Sequence, residues 1–106
     1  MVSELDYVCS IMGTLANIDS QMILSSSRQW PLPACRGILY IHFREKGLTT
    51  LQIGRMFNRD HATVLAGVKR TKGWLEIKQP YVRSLYEQFN QNYQYQEWIK
   101  SEESHL

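Results

Sequence analysis

Apolar residues recur along this chain at the spacing of amphipathic helices. The first stripe runs from Leu5 to Ala16 behind a candidate cap at Ser3, and it predicts a helix that ends near residue 17. Asp19 can cap a short turn of helix over residues 21–24. A polar break then covers residues 25–28.

A second apolar stripe follows two prolines. Pro33 suits the first turn of a helix, where its missing N–H costs nothing, and the stripe from Ala34 to Phe43 extends this helix to about Lys46. Gly47 is expected to close it in a left-handed conformation.

The last stripe lies beyond Pro80, which cannot continue a preceding helix. It predicts a final helix to about Lys100. Its members are Val82, Leu85, Tyr86, Phe89 and Tyr93. The end of this helix is rich in rings, with Tyr93, Tyr95 and Trp98. Two interpretations stay open: the rings fold back on the domain, which is the commoner outcome, or they form a contact surface for a partner or a second copy.

Two shorter helices joined by a tight turn are predicted between residues 49 and 72. Thr49 and Thr50 are candidate caps of the first helix, and Gln52 can complete a capping box. Asp60 is the expected cap of the second helix, after a break at residues 58–59. The expected buried residues are Leu51, Ile53, Met56 and Phe57 in the first helix and Val64, Leu65 and Val68 in the second. This is the spacing of a helix-turn-helix.

The opposite face of the second helix is polar and basic. It carries His61, Thr63, Lys69, Arg70 and Lys72. In a recognition helix, residues near the N-terminus reach base edges in the major groove, while basic groups further along meet phosphates. The pattern therefore predicts a helix that reads DNA.

The string FNRDHATVLAGVKR, preceded by LTTLQIG, resembles the signature of the C-terminal DNA-binding domain of the bacterial replication initiator DnaA. The fold of that domain is similar to that of Trp repressor. Asp60, His61, Thr63 and Val64 match the family's Arg-Asp-His-Thr-Thr-Val motif in place. The chain departs from the motif in two ways: its turn is one residue shorter and lacks glycine, and Ala62 replaces the first Thr. The resemblance covers roughly residues 2–90.

The resemblance implies a set of contacts with duplex DNA. Thr49 and Thr50 would meet a phosphate at the start of the first helix. Arg59, Lys69 and Arg70 would attract phosphates whatever the sequence. The implied base-reading residues are Asp60, His61, Ala62 and Thr63.

In the family, a basic loop before the preceding helix reaches the minor groove through an arginine. Arg28 and Arg36 are the candidates for that contact here. For either residue, an ordinary solvated arginine is the alternative interpretation.

The net charge of +2 hides a strong segregation of charge. Residues 28–78 carry a net charge of +7, while the two ends together carry −5. The basic middle coincides with the predicted DNA-reading helices, which is the charge distribution that a phosphate-binding surface requires. A chance fluctuation on a solvated surface is the alternative.

Length and composition predict one all-α domain of five or six helices. The chain has 106 residues, of which 43% are hydrophobic, enough for a single core. We expect the core at about 2–90, with a helix end and polar tail at 91–106. Cys9 and Cys35 are expected to be buried free thiols. No segment approaches transmembrane length and the start is acidic, so we expect a cytoplasmic protein of the bacterial nucleoid.

The sequence predicts no catalytic site, cofactor or metal centre. His42 lies on an apolar stripe and is expected to be a satisfied core histidine. Asp60 and His61 are consecutive, and consecutive residues on a helix do not face one another, so no carboxylate–imidazole pair is expected. A GxxxxGK[ST] motif is absent, so the resemblance implies a DNA reader without the initiator's ATPase.

Two functions therefore stay open. The first is sequence-specific binding of a DnaA-box-like duplex, in replication or its regulation. The alternative is a protein interaction module that docks a partner through Tyr93, Tyr95 and Trp98.

Overall fold

The computed structural model describes residues 3–103, which form six α-helices. Their bounds are α1 Glu4–Ala16, α2 Ser20–Ile23, α3 Leu32–Glu45, α4 Thr50–Phe57, α5 His61–Glu76 and α6 Pro80–Glu103. No strand occurs within residues 3–103. The predicted all-α class and the number of helices are therefore confirmed.

Four helices begin at the side chains predicted to cap them. Ser3, Asp19, Thr49 and Asp60 each accept a hydrogen bond from a backbone N–H in the first turn of their helix. At α4 the capping box is complete: the backbone N–H of Gln52 donates to the Thr49 hydroxyl at 3.1 Å, and the backbone N–H of Thr49 donates to the Gln52 side chain at 2.8 Å.

The ends of α1, α3, α4 and α5 are closed by a residue in the left-handed conformation. These residues are Asn17, Gly47, Asn58 and Lys78. In each case the next N–H donates to the carbonyl five residues earlier, as in a Schellman motif. Gly47 therefore closes α3 as predicted. The helix α5 ends at Glu76, and Lys78 turns the chain into α6.

The helix α3 lies at the centre of the fold and contacts all five other helices. Every residue from 34 to 43 is buried, so this part of the helix is enclosed around its whole circumference. The fully buried side chains around it include Val8 and Met12 from α1, Ile53 from α4, Val64 from α5 and Phe89 from α6. Cys9 and Cys35 lie in this core as free thiols, as predicted, and burial raises the pKa of each to about 11.

Two glycines allow α3 and α5 to pack closely. A Cβ atom at Gly37 would lie 1.8 Å from the Thr71 hydroxyl oxygen, and one at Gly67 would lie 2.9 Å from a ring carbon of Tyr40. A larger residue at either position would push the helices apart. This contact fixes α5 against the central helix.

Leu51 and Leu65 were expected in the core, but they are 51% and 43% exposed. A helix turns by about 100° per residue, so Leu65 lies a quarter of a turn away from the stripe formed by Val64 and Val68. The buried stripe of α5 is narrower than predicted.

The aromatic end of α6 does not fold back on the domain. Tyr95 and Trp98 are 57% and 58% exposed, and their rings contact each other. They lie roughly 180–240° around the helix from the buried Phe89, on its opposite face. Tyr93 behaves differently, since its half-buried ring lies 4.6 Å from that of His42.

Glu4, His42, Lys46 and Tyr93 meet where α1, α3 and α6 converge, and we call this group the α6 junction. The Lys46 ammonium lies 3.5 Å from Glu4 and donates to the Tyr93 hydroxyl, which itself donates to Glu4 at 2.9 Å. The buried Nε2 of His42 makes no hydrogen bond with any residue in the 3–103 range, and the carboxylate of Glu4 lies 3.8 Å away. His42 therefore lies in the core as predicted, but it is not satisfied by a hydrogen bond, because the Glu4 carboxylate is just beyond hydrogen-bonding distance.

Candidate nucleic-acid interface

The helices α4 and α5 form a helix-turn-helix with a turn of only three residues. Asn58 supplies the left-handed conformation with a φ of 55°, so the turn closes without glycine. Gly54 makes the tight return possible, since a Cβ there would lie 2.5 Å from the carbonyl oxygen of Arg59. The short turn seen in the sequence is therefore compatible with the motif.

Asp60 caps α5 and also contacts the first residue of that helix. Its carboxylate accepts from the backbone N–H of Ala62 at 3.0 Å and lies 3.1 Å from Nδ1 of His61. The prediction that these two side chains would not meet was wrong. Asp60 stands outside the helix in an extended conformation, with a ψ of 144°, so the rule for consecutive helical residues does not apply to it. The contact orients the His61 ring.

The predicted base-reading residues lie together at the exposed start of α5. Asp60, His61, Ala62 and Thr63 are all exposed, and so are Lys69 and Arg70 further along the helix. The buried side of α5 carries Val64, Gly67, Val68 and Thr71. Thr49 is exposed and Thr50 half-buried at the start of α4, where the capping box already engages the Thr49 hydroxyl.

A cleft of about 600 Å³ opens beside α5, between the 24–31 loop, α3 and the turn. We call it the arginine cleft after Arg28, Arg36, Arg59 and Arg70. The described residues that line it include no acid; the others are Ser26, Pro33, Tyr40, Thr63 and Ala66. The cleft therefore concentrates positive charge next to the start of α5.

Arg36 has a different role from the minor-groove contact that the resemblance implied. It is only 7% exposed, and its guanidinium donates to four backbone carbonyls. The acceptors are Ile23 at 2.7 Å, Ser27 at 2.5 Å, Ser25 at 2.7 Å and Met22 at 3.1 Å. Burial, and then the charge of Arg59, lower the pKa of Arg36. Because its donors are committed, Arg36 supports the loop and is not free to reach DNA.

Arg59 ties the turn to the same loop. Its guanidinium donates to the carbonyls of Phe57 at 3.0 Å and Asn58 at 3.3 Å, and also to the carbonyl of Ser25. Ser25 thus accepts from Arg36 and Arg59 together. Arg28, on the loop itself, is exposed and makes no hydrogen bond or ion pair with any residue in the 3–103 range. Of the two arginines that the resemblance offered, Arg28 is the available one.

An aromatic cluster beside the cleft was missed from the sequence. Trp30 packs edge-on against Trp74 with their ring centroids 5.4 Å apart, and its ring lies 5.7 Å from that of Tyr81. The guanidinium of Arg70 lies 5.5 Å from the centre of the Trp74 ring. The three rings come from the loop, α5 and α6, so no local spacing links them. The one signal was a tryptophan within a polar, proline-bounded loop.

No protein-family model matches this chain, and no curated protein matches it either. The likeness to the DnaA domain rests on the residues quoted above. Among residues 3–103, no group of three or more His, Cys, Asp or Glu side chains could hold a metal ion. None of the helices in that range has the length and apolar character needed to cross a membrane.

Proposed function

We propose that this protein reads double-stranded DNA in a sequence-specific way, as a relative of the DnaA DNA-binding domain that acts in replication or its regulation at the bacterial nucleoid. The observation that carries the proposal is the exposed, capped start of α5, where Asp60, His61, Ala62 and Thr63 present polar groups and methyls together. The acid-free arginine cleft beside it supports the same function.

Each of these residues has a distinct role in the proposed complex. One carboxylate oxygen of Asp60 is engaged by the helix cap and the other is left to accept from a cytosine amino group. His61, oriented by Asp60, contacts the neighbouring base edge. Ala62 and Thr63 lie against thymine methyls or a phosphate.

The basic residues supply affinity that does not depend on sequence. Lys69, Arg70 and Arg28 are exposed. Arg28 and Arg70 line the cleft with Thr63, and Lys69 lies further along α5, so the three basic groups meet phosphates or the adjacent minor groove. Arg59 contributes charge, although its donors are bound to carbonyls. Thr49 and Thr50 place the start of α4 against a phosphate of the DNA backbone.

The test is fluorescence-polarisation binding to a DnaA-box duplex and a scrambled duplex across a salt series. Asp60→Asn keeps a good helix cap but changes the group that meets the base, so it should reduce the preference for the box about tenfold and leave scrambled binding unchanged. Lys69→Ala should weaken both duplexes equally and reduce the salt slope by about one unit. Equal losses on both duplexes for the two variants would refute base reading by Asp60.

The exposed pair of Tyr95 and Trp98 favours a second candidate function, a protein interaction module. Sedimentation would support this function if it shows concentration-dependent dimerisation that is lost in Trp98→Ala. The affinity for DNA should then be unchanged in His61→Ala. Tyr93 contributes little to such a surface, since its ring packs within the α6 junction.

A further inference from the structure

The aromatic cluster of Trp30, Trp74 and Tyr81 keeps much of its surface in solvent. Trp30 is 51% exposed and Tyr81 38% exposed, although both rings contact neighbours in the cluster. Neither residue belongs to the base-reading group at the start of α5. The cluster therefore offers flat apolar surface for which duplex reading by α5 has no use.

The loop that carries Trp30 is held in place. Arg36 binds four carbonyls between residues 22 and 27, and Arg59 binds one of the same carbonyls from the turn. At the other end of the loop, the N–H of Leu32 donates to the Gln29 carbonyl at 2.9 Å. A ligand that stacks on Trp30 would therefore meet a preorganised ring and would not have to order a loop.

The cluster and the arginine cleft are continuous. Arg70 lines the cleft and lies against the Trp74 ring, while Arg28 lines the cleft two residues before Trp30. The described residues that line the cleft include no carboxylate, so a complementary ligand is anionic. The volume of about 600 Å³ falls within the range of small-ligand pockets, roughly 300–1,000 Å³.

An unpaired nucleotide strand offers phosphates next to bases whose flat faces are accessible. Single-stranded nucleic acids bind where a basic groove follows the backbone and aromatic side chains stack on the bases. In a duplex the faces of the bases are stacked on each other and only their edges are open in the grooves. An acidic peptide would satisfy the charge but would not offer a flat ring beside every anion.

We propose that the arginine cleft and the aromatic cluster together bind single-stranded nucleic acid, with Arg28 and Arg70 on phosphates and Trp30 and Tyr81 stacked on bases. This site goes beyond duplex reading and uses neither Asp60 nor His61. Because Arg28 and Arg70 also serve the proposed duplex contact, an unpaired strand and a duplex compete for these two arginines.

The test compares two labelled single strands by fluorescence polarisation at low salt: a 12-residue oligothymidylate and an abasic strand of the same length and charge. The intact protein should bind the oligothymidylate at least about tenfold more tightly than the abasic strand, because only the former can stack. Trp30→Ala should remove that preference, while Trp30→Phe, which keeps a flat ring, should retain most of it. Trp98→Ala is the matched control, a tryptophan of similar exposure outside the cluster.

Several outcomes would overturn the site. Equal affinity for both strands would mean phosphate attraction alone. An equal loss of box-duplex binding in Trp30→Ala would assign Trp30 to the duplex. Binding of a labelled glutamate-rich peptide, with no binding of the oligothymidylate, would indicate a protein partner. The two proposals fail by different measurements. The single-strand site fails if the intact protein does not prefer oligothymidylate to the abasic strand, whereas duplex reading fails if the intact protein does not prefer the box duplex to the scrambled duplex. Trp30→Ala should still bind the box duplex.

Discussion

The arginine cleft and the α6 junction use similar residues in opposite ways. Each places a cation against an aromatic ring: Arg70 lies 5.5 Å from the centre of Trp74, and Lys46 lies 4.7 Å from the centre of Tyr93. In the junction, the carboxylate of Glu4 neutralises the cation. In the cleft, no lining residue in the described range is an acid.

This difference distinguishes cations that stabilise the fold from cations that are available to bind a ligand. A neutralised cation holds helices together and has little field left for a ligand, whereas an unneutralised one projects its field into solvent. Changes to exposed cations of the cleft should therefore alter binding and leave stability unchanged. The main exception within the cleft is Arg36, whose guanidinium donates to four backbone carbonyls. Arg59 is a lesser one, since its guanidinium donates to three.

The largest loss of stability is expected when Arg36 is replaced. Arg36→Ala removes the donors of four carbonyl bonds beneath the loop, and buried carbonyls without partners are costly. We expect a loss of about 3 kcal/mol in the free energy of unfolding, measured by urea denaturation.

Arg70→Ala is the matched control, since Arg70 lines the same cleft but is exposed. Its stability should change by no more than about 0.5 kcal/mol, while its affinity for DNA falls. Similar stability losses in the two variants would break the distinction between the buried and the exposed arginine.

A second, smaller effect tests the packing beneath the cleft. Gly37→Ala should cost about 1–3 kcal/mol in unfolding free energy, because its Cβ would overlap the Thr71 hydroxyl. Gly73→Ala, where nothing lies within 4 Å of the new Cβ, should instead gain up to about 1 kcal/mol from helix propensity. Thr71→Ala in the Gly37→Ala background should restore part of the loss. Destabilisation of equal size at both glycines would contradict this account.

Local features of the fold were predictable from the sequence, because their partners lie within a few residues. Thr49, Asp60 and Gly47 act through hydrogen bonds inside one helical turn, and each was identified from its type and position. The exposure of Tyr95 and Trp98 was also readable, since the 100° step places both opposite Phe89. Without this register, the aromatic composition alone left both interpretations open.

The arrangement of the cleft was not predictable in this way. Arg36 is bound by backbone carbonyls 9 to 14 residues away. Every residue has a backbone carbonyl, so residue types do not show which carbonyls will accept from Arg36. Trp30, Trp74 and Tyr81 meet only because three separate elements converge. Composition predicted the basic charge of this region, but it did not predict which arginine side chains would be free to bind a ligand.

The smallest effect is a pH dependence confined to the α6 junction. Burial, and then the charge of Lys46, lower the pKa of His42 below its ordinary value of 6.5, despite the opposing effect of Glu4. The unfolded chain therefore binds more protons than the folded chain below that value, and stability must fall as the pH drops from about 6.5 towards the lowered pKa. The slope cannot exceed about 1.4 kcal/mol per pH unit for one group.

His42→Phe should flatten this part of the profile, measured by urea denaturation between pH 7 and pH 5 at constant ionic strength. The ring of Phe fits among Phe43, Phe89 and Tyr93, which already surround the imidazole. Duplex affinity at pH 7 should be unchanged, because the junction shares no residue with the cleft. Identical pH slopes in the two proteins, or a weakened duplex complex in the variant, would show that the two regions are not independent.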